Sequence, residues 1–257
     1  MKLKIFDKKL IWKISLVIVA IAVLISLRPM LYRNVSMVQV MTASDVILID
    51  PGHGGMDGGA SSATGVTEKD INLSISFYLR ELAEADGWKV VMTREEDKGL
   101  GDNTGTTIRS HKTADLNARI EMIRKVKPQL AISIHLNSFK QDPSVRGAQT
   151  FYPDGPGDQS ILDESKKLAE AIQAQLIAGL ADGNDRAALG KSDARMLKNP
   201  AAPLVIIECG FLSNPEEAKL LQQADYQKKL AKCIYDGILL YTGKKPAKPI
   251  QTIDSRG

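Results

Sequence analysis

The sequence is poor in cysteine and contains no internal repeat or low-complexity block. Two cysteines among 257 residues cannot build the disulfide framework of a small secreted scaffold. Cys209 follows an apolar run and Cys233 lies on the apolar stripe of a predicted helix, so we expect both to be buried free thiols. Stability must therefore come from a packed apolar core, which a hydrophobic fraction of 44% can supply.

The central part of the chain has no excess of basic residues, although the whole chain carries a formal charge of +4. Residues 1–33 contain five Lys, two Arg and one Asp and so carry +6, and residues 244–257 carry +3. Residues 34–243 are left with a net charge of −5. This acidic balance argues against a nucleic-acid partner, because phosphate backbones are bound through Lys and Arg.

Several common catalytic and nucleotide-binding motifs are missing. There is no G-x-S-x-G elbow of a serine hydrolase and no H-E-x-x-H helix of the common metalloproteases. The segment Gly52–Asp57 has an aspartate where a dinucleotide fingerprint requires its third glycine. Gly190-Lys191-Ser192 resembles the end of a phosphate-binding loop, but Asp185 stands where the first glycine is required. These classes of site are therefore excluded.

Residues 1–33 form a separate, membrane-targeting segment in the prediction. Lysines precede a run from Ile14 to Leu27 that contains only apolar residues and two serines. No small-x-small cleavage site follows closely, which favours an uncleaved signal-anchor over a cleaved signal peptide. The positive-inside rule places the lysines inside the cell, so the rest of the chain is exported, either membrane-anchored or secreted.

Strand-like and helix-like segments alternate from residue 46 to residue 241, between a predicted linker at 34–45 and a flexible tail at 244–257. This alternation predicts an α/β fold, with a single domain at 46–243 and a mostly parallel twisted sheet of about six strands flanked by helices. The predicted strands lie near 46–50, 89–93, 130–135, 147–152, 194–197 and 204–208, and the predicted helices near 68–85, 115–126, 159–181, 215–222 and 225–241.

Three titratable residues stand at the ends of three predicted strands. His53 lies in the glycine-flanked segment that follows the first strand, while His135 and Glu208 end two others. The carboxyl ends of parallel strands meet at one edge, where α/β folds place their chemistry. The remaining histidine, His111, lies in a stretch rich in Gly, Asp, Thr and Asn and is assigned to solvent.

Glu68 is predicted to be the first residue of the helix at 68–85. Thr67 and Asp70 fit a capping box, and the Gly/Ser loop at 56–66 is short enough to bring Glu68 back toward His53. The alternative is that Glu68 only complements the helix dipole, as many surface glutamates do.

Two imidazoles and one carboxylate from separate elements suit a catalytic zinc ion with one open position. His53, Glu68 and His135 are the predicted ligands, at the C-terminal edge of the sheet. Zinc lowers the pKa of a bound water to ~7, and Glu208 is the remaining carboxylate that can accept the proton. The alternative is that both histidines are structural residues at strand ends.

The chain resembles the zinc-dependent N-acetylmuramoyl-L-alanine amidases of the type-3 family over roughly residues 46–241. The resemblance rests on five segments in the family's order, which are Ile49–Gly55, the downstream Glu68, Thr93-Arg94 with Asp115–Arg119, Ser133–Ser138 and Glu208–Asn214. It implies that His53, Glu68 and His135 hold one Zn²⁺ and that Glu208 is the catalytic glutamate. Asn137 is either a substrate contact or a residue that stabilises its own turn.

The resemblance also implies a reaction, which is hydrolysis of the amide between the lactyl group of N-acetylmuramic acid and L-alanine. The expected partners are peptidoglycan glycan strands with stem peptides, together with the membrane through the N-terminal segment. Two alternatives stay open, a non-catalytic peptidoglycan-binding protein and a zinc peptidase that cuts another amide.

Within the family, the chain is similar to the germination-specific amidases of the spore cortex, because it is short and has one N-terminal hydrophobic segment and no wall-binding module. This similarity implies a role in muramic lactam formation in the cortex or in wall remodelling. It implies a location at the cell wall or in the forespore intermembrane space, with a cortex deacetylase or an activator protein as functional partner.

Overall fold

A six-stranded sheet organises the computed structural model, which describes residues 45–101 and 107–244. The strand order is β2-β1-β3-β6-β4-β5. The strands are β1 (Val46–Pro51), β2 (Lys89–Met92), β3 (Leu130–Asn137), β4 (Gln149–Pro153), β5 (Leu189–Lys191) and β6 (Leu204–Phe211). The predicted α/β fold is confirmed.

The described residues also form five α-helices and one short 3-10 helix at Arg195–Leu197. They are α1 (Glu68–Ala85), α2 (Ile108–Val126), α3 (Gln159–Leu180), α4 (Pro215–Leu221) and α5 (Ala224–Thr242). Helix α1 buries Ile71, Ile75 and Leu79, which recur every three or four residues and so share one face.

The sheet is parallel except at one junction. β1 pairs in parallel with β2 and β3, and β3 pairs in parallel with β6, whereas β4 runs antiparallel to β6. The central strands β1, β3 and β6 are buried almost throughout, as expected when helices cover both faces of a parallel sheet. Their carboxyl ends therefore meet at one edge.

The two faces of the sheet carry cores of unequal size. The larger core packs helices α1, α3 and α5 against one face through residues such as Leu79, Ile172 and Ile234. The smaller core joins the other face to α2 and the 3-10 helix through Ile123, Met196 and Leu197. This second face is where the strand-end side chains of interest project.

Two predicted boundaries are wrong. Residues 194–197 were expected to form a strand, but Arg195–Leu197 is a 3-10 helix and the edge strand is Leu189–Lys191. The apolar Met196 and Leu197 are buried in the smaller core, so their burial reflects packing under α2 rather than a place in the sheet. Helix α2 begins at Ile108 rather than at 115, because Thr107 and Ser110 form a capping box.

Both cysteines are free and buried, as predicted. Among the described residues, no helix is long and apolar enough to cross a membrane. The predicted targeting segment at 1–33, almost all of the linker at 34–45 and all of the tail beyond Lys244 lie outside the described residues.

Candidate metal centre

His53 lies on a sharp turn immediately after β1. Its φ of 62° is in the left-handed region, and the following Gly54 and Gly55 also have positive φ. Two buried arginines hold the carbonyls of this turn. Arg94 donates to Pro51 O at 3.0 Å and to Gly52 O at 3.0 Å, and Arg119 donates to His53 O at 2.5 Å. The position of the imidazole is therefore set by hydrogen bonds from outside its own segment.

Arg119 is neutralised by a buried carboxylate below the turn. Its NH1 donates to Asp50 Oδ1 at 2.6 Å, and Asp50 also accepts from Thr93 and Ser133. Burial alone raises the pKa of Asp50, but the charge of Arg119 and the two hydroxyl donors outweigh it and lower that pKa to about 2. Asp50 therefore stays ionised beneath the site.

Glu68 is brought to the site by the loop that precedes α1. The first amides of the helix donate to this loop, with Glu68 N 2.9 Å from Ala60 O and Lys69 N 3.2 Å from Gly58 O. The prediction that Glu68 begins the helix is confirmed. The predicted capping box is wrong, because the Thr67 hydroxyl donates to the Asp70 carboxylate and the loop carbonyls accept from the amides instead.

The structure brings His53, Glu68 and His135 together at the strand edge. Their candidate ligand atoms all lie within 4.8 Å of one another. Glu68 Oε1 is 3.2 Å from His53 Nε2 and 3.0 Å from His135 Nδ1. The backbone amides of Leu136 and Ala60 donate to the two oxygens of Glu68, one to each. The carboxylate is thus fixed in place and faces both rings.

The charges in this cluster are those of a cation site. Burial alone raises the pKa of Glu68, but hydrogen bonds from His135 and His53 hold it well below its usual range. Burial alone lowers the pKa of His53, but hydrogen bonds to Asp57 and Glu68 raise it to about 9. In the metal-free protein, a proton on His53 therefore balances the negative charge.

The donor set fits zinc. Nδ1 of His53 lies 2.8 Å from Asp57 Oδ2, so the imidazole donates its Nδ1 proton there and its Nε2 faces Glu68. A proton on Nε2 bridges this nitrogen and the carboxylate, and a metal ion would take the place of that proton. Two imidazole nitrogens and one carboxylate oxygen are a common ligand set of catalytic zinc.

Glu208 lies beside this cluster on β6, opposite His135 of β3. Its Oε2 is buried and has no hydrogen-bond partner within residues 45–101 and 107–244. Burial raises the pKa of Glu208, while the charge of His135 opposes the shift. A partly desolvated carboxylate with a free oxygen is suited to accept and release a proton.

A cavity of about 190 Å³ opens at the cluster, with His53, His135, Leu116 and Met196 among its lining residues. A neighbouring depression of about 270 Å³ separates the Gly54–Asp57 turn from the start of α2. His111 lines that depression and is partly exposed, so it is less open to solvent than the prediction implies. It is not one of the three clustered ligand residues.

Sequence reasoning missed the residues that support the ligands. Asp57 was noted only as the wrong residue for a glycine motif, and no role was given to Arg94 or Arg119, since buried arginines leave no periodic signal. For Asn137 the sequence allows two roles, a substrate contact or stabilisation of its own turn. In the structure its Oδ1 accepts from the amide of Ser138 at 2.8 Å, which favours stabilisation of its own turn.

Comparisons with known proteins agree on one family. The Amidase_3 model, described as N-acetylmuramoyl-L-alanine amidase, matches residues 47–239. The germination-specific N-acetylmuramoyl-L-alanine amidase of Bacillus subtilis (strain 168) is 38% identical over 206 residues, which are 79% of this chain and 82% of that protein. The B. subtilis amidase LytC is 32% identical over 198 residues, but the chain spans only 35% of its length.

A solved structure has the same fold. It contains the CwlD amidase from Clostridioides difficile in complex with the GerS lipoprotein. The alignment has a TM-score of 0.73 and 40% identity, and it covers 78% of this chain and 99% of that one.

Proposed function

The chain belongs to the Amidase_3 family, the N-acetylmuramoyl-L-alanine amidases, and from this premise we propose that His53, Glu68 and His135 hold one zinc ion while Glu208 serves as the general base. The protein is thus a hydrolase that cuts the bond between N-acetylmuramic acid and L-alanine in peptidoglycan. The observation that supports this assignment is the convergence of the three ligand residues beside Glu208, whose buried Oε2 has no hydrogen-bond partner among the described residues.

When bound, zinc supplies a Lewis acid that polarises a carbonyl and makes water acidic near neutral pH. Hydrolysis adds the oxygen of a water to the lactyl carbonyl carbon and a proton to the departing L-alanine nitrogen. Among the described residues, Glu208 Oε2 has no hydrogen-bond partner. Glu208 is therefore free to take a proton from the water and to pass it to the departing nitrogen. Burial raises the pKa of Glu208, which makes it a stronger base for the proton of the water.

The other residues of the site fix geometry. Asp57 orients His53 through Nδ1, so that Nε2 faces the metal position. The amide of Leu136 orients Glu68, and the arginine contacts hold the turn that carries His53. Lys112 neutralises the second oxygen of Asp57 at 2.7 Å.

The relatives support a proposal for the biological setting. The similarity to a germination-specific amidase supports a role in the spore cortex, where removal of the peptide prepares muramic acid for lactam formation. The neighbouring CwlD structure contains a lipoprotein, so we propose an exported accessory protein of that type as an activator. A cortex deacetylase would act next on the product. The N-terminal segment at 1–33 is proposed to anchor the enzyme, at the cell wall or in the forespore intermembrane space.

Digestion of purified sacculi tests the proposed function. The zinc-loaded full chain should release new L-alanine amino termini, which mass spectrometry identifies, and a chelator should abolish this release. Glu208→Gln should bind zinc and fail to cut. Cleavage at another bond would support a zinc peptidase instead, and cutting that survives chelation would overturn the zinc proposal. Bound zinc without cutting, in the presence of a candidate lipoprotein, would support a non-catalytic binding protein.

A further inference from the structure

Neighbouring residues of helix α2 and the 3-10 helix line the catalytic cavity and a second depression. The cavity lining includes Leu116 of α2 and Met196 of the 3-10 helix. The next residues of the same two elements line a depression of about 610 Å³, which we call the α2 groove, formed by Asn117, Ile120, Glu121, Arg124, Arg195 and Lys198. The two depressions thus lie along the same two elements.

The α2 groove is basic although the domain around it is acidic. Arg124, Arg195 and Lys198 face one carboxylate, that of Glu121. Within the part of the chain that the structure describes, none of these three cations forms an ion pair, and Glu121 is paired at 3.8 Å with Lys125, which does not line the groove. Residues 34–243 carry −5 overall, so this concentration of unpaired positive charge is local.

Arg195 is held in place by a neutral contact. Its Nη2 donates to Asn117 Oδ1 at 2.6 Å, across the groove. An arginine tied to an amide keeps its full charge and retains free N–H donors, which suit a carboxylate. The contact therefore orients the guanidinium without neutralising it.

The dimensions of the groove match a short peptide. Along α2, Ile120 lies ~6 Å and Arg124 ~12 Å beyond Leu116 at the edge of the cavity, from the helical rise of about 1.5 Å per residue. An extended peptide advances about 3.3–3.6 Å per residue, so a peptide that follows α2 from a bond cut in the cavity would place its second and third residues over the groove.

We propose that the α2 groove binds the free carboxylates of the stem peptide on the leaving side of the scissile amide, with Arg195, Arg124 and Lys198 as the recognising cations. This inference rests on the proposed function. It assigns the peptide to the side of α2 and makes these three residues determinants of substrate specificity.

Paired substrates test the proposal. Two soluble disaccharide peptides are compared, which differ only in whether the glutamate at position two has a free α-carboxylate or an amide. The zinc-loaded full chain is assayed beside Arg195→Gln, Arg195→Lys and the triple variant Arg124→Gln/Arg195→Gln/Lys198→Gln. The matched control is Lys89→Gln, an exposed lysine at the start of β2, at the opposite end of the sheet.

We expect kcat/KM for the free acid to fall about 3–5-fold in Arg195→Gln and about 10–50-fold in the triple variant, mainly through KM, because exposed ion pairs are individually weak. Turnover of the amide should fall less than turnover of the acid, because the amide lacks only one of the carboxylates that the groove would bind, and Arg195→Lys should restore part of the loss. The preference of the unmodified chain for the acid should weaken as salt is raised.

Equal losses on both substrates, or no loss on either, would overturn the groove assignment while leaving the amidase intact. If the unmodified chain cuts neither substrate nor sacculi with a candidate lipoprotein present, the proposed function fails and the inference falls with it. A direct measurement is calorimetric binding of the free stem tripeptide, which the triple variant should weaken by a similar factor and Lys89→Gln should not.

Discussion

Nδ1 of His53 lies 2.8 Å from Oδ2 of Asp57, four residues further along the same turn. The other oxygen of Asp57 meets Nζ of Lys112 at 2.7 Å, so a residue of α2 is linked to a proposed metal ligand through one carboxylate. Because of this link, the orientation of the His53 imidazole depends on the packing of α2 against the turn.

Asp57→Asn should weaken zinc binding about 10–100-fold, the usual effect of removing the carboxylate behind a ligating histidine. Competition with a chromogenic chelator measures this. Lys112→Gln should have a much smaller effect, because Lys112 is about half exposed and touches His53 only through Asp57. Unchanged zinc affinity in Asp57→Asn would show that the carboxylate does not position the ring.

Glu208→Gln should lower kcat about 10²–10⁴-fold through loss of the proton acceptor, with zinc affinity preserved. Because the buried Oε2 has no partner to lose among the described residues, thermal stability should not decrease. The matched control is Glu216→Gln, an exposed carboxylate on α4, which should retain activity. A Glu208→Gln enzyme with normal kcat would remove Glu208 from the mechanism.

Arg119→Met should reduce the free energy of unfolding by about 3–5 kcal/mol, because it leaves the charge of Asp50 buried and unpaired. Urea unfolding measures the change. Combining it with Asp50→Asn should cost less than the sum of the single changes, since each removes the same ion pair. Arg109→Met, at an exposed position on the same helix, should change stability by less than about 0.5 kcal/mol. Additive losses at Asp50 and Arg119 would contradict the pairing.

Because of the ion pair between Asp50 and Arg119, we expect the folded protein to lose stability in acid. The pKa of Asp50 is lowered from 3.8 to about 2, so its stabilising contribution is present above pH 3.8 and is lost as the pH falls toward 2. The contribution is on the order of 2 kcal/mol, from the size of the shift. Denaturant midpoints measured between pH 5 and pH 2 should fall more steeply in the unmodified chain than in Asp50→Asn. The same pH dependence in the two proteins would show that Asp50 has the same pKa in the folded and the unfolded state.

Gly52→Ala should damage the metal centre, because an added Cβ would collide with the ring of His135. We expect a loss of zinc affinity of at least about tenfold together with a destabilisation of about 1–3 kcal/mol, as for other overpacked sites. Gly58→Ala is the matched control, since a Cβ there meets only the Thr67 side chain at 3.6 Å, an ordinary contact. Normal zinc binding by Gly52→Ala would show that His135 can move without loss of the site.

Much of this molecule could be predicted before its structure was known. Apolar runs at 46–49, 130–134 and 204–207 specify the central strands, because a parallel sheet covered on both faces needs continuous hydrophobic segments. His53, His135 and Glu208 follow or end these strands, so their meeting at one edge follows from parallel pairing alone. Glu68 could be added because a short loop and a helix start limit where its side chain can lie.

The tertiary structure decided what supports these residues and where the substrate can lie. The buried ion pair of Asp50 and Arg119 joins residues 69 positions apart, and the contact of Arg195 with Asn117 joins residues 78 apart. Local sequence patterns report only which face of an element is apolar. A charged side chain that is buried by a distant partner has no such pattern, and neither does a groove formed where two elements pack together. The sequence by itself therefore determined the fold class and the chemistry at the strand ends, while the packing of α2 and the 3-10 helix on the sheet determined the support of His53 and the basic groove.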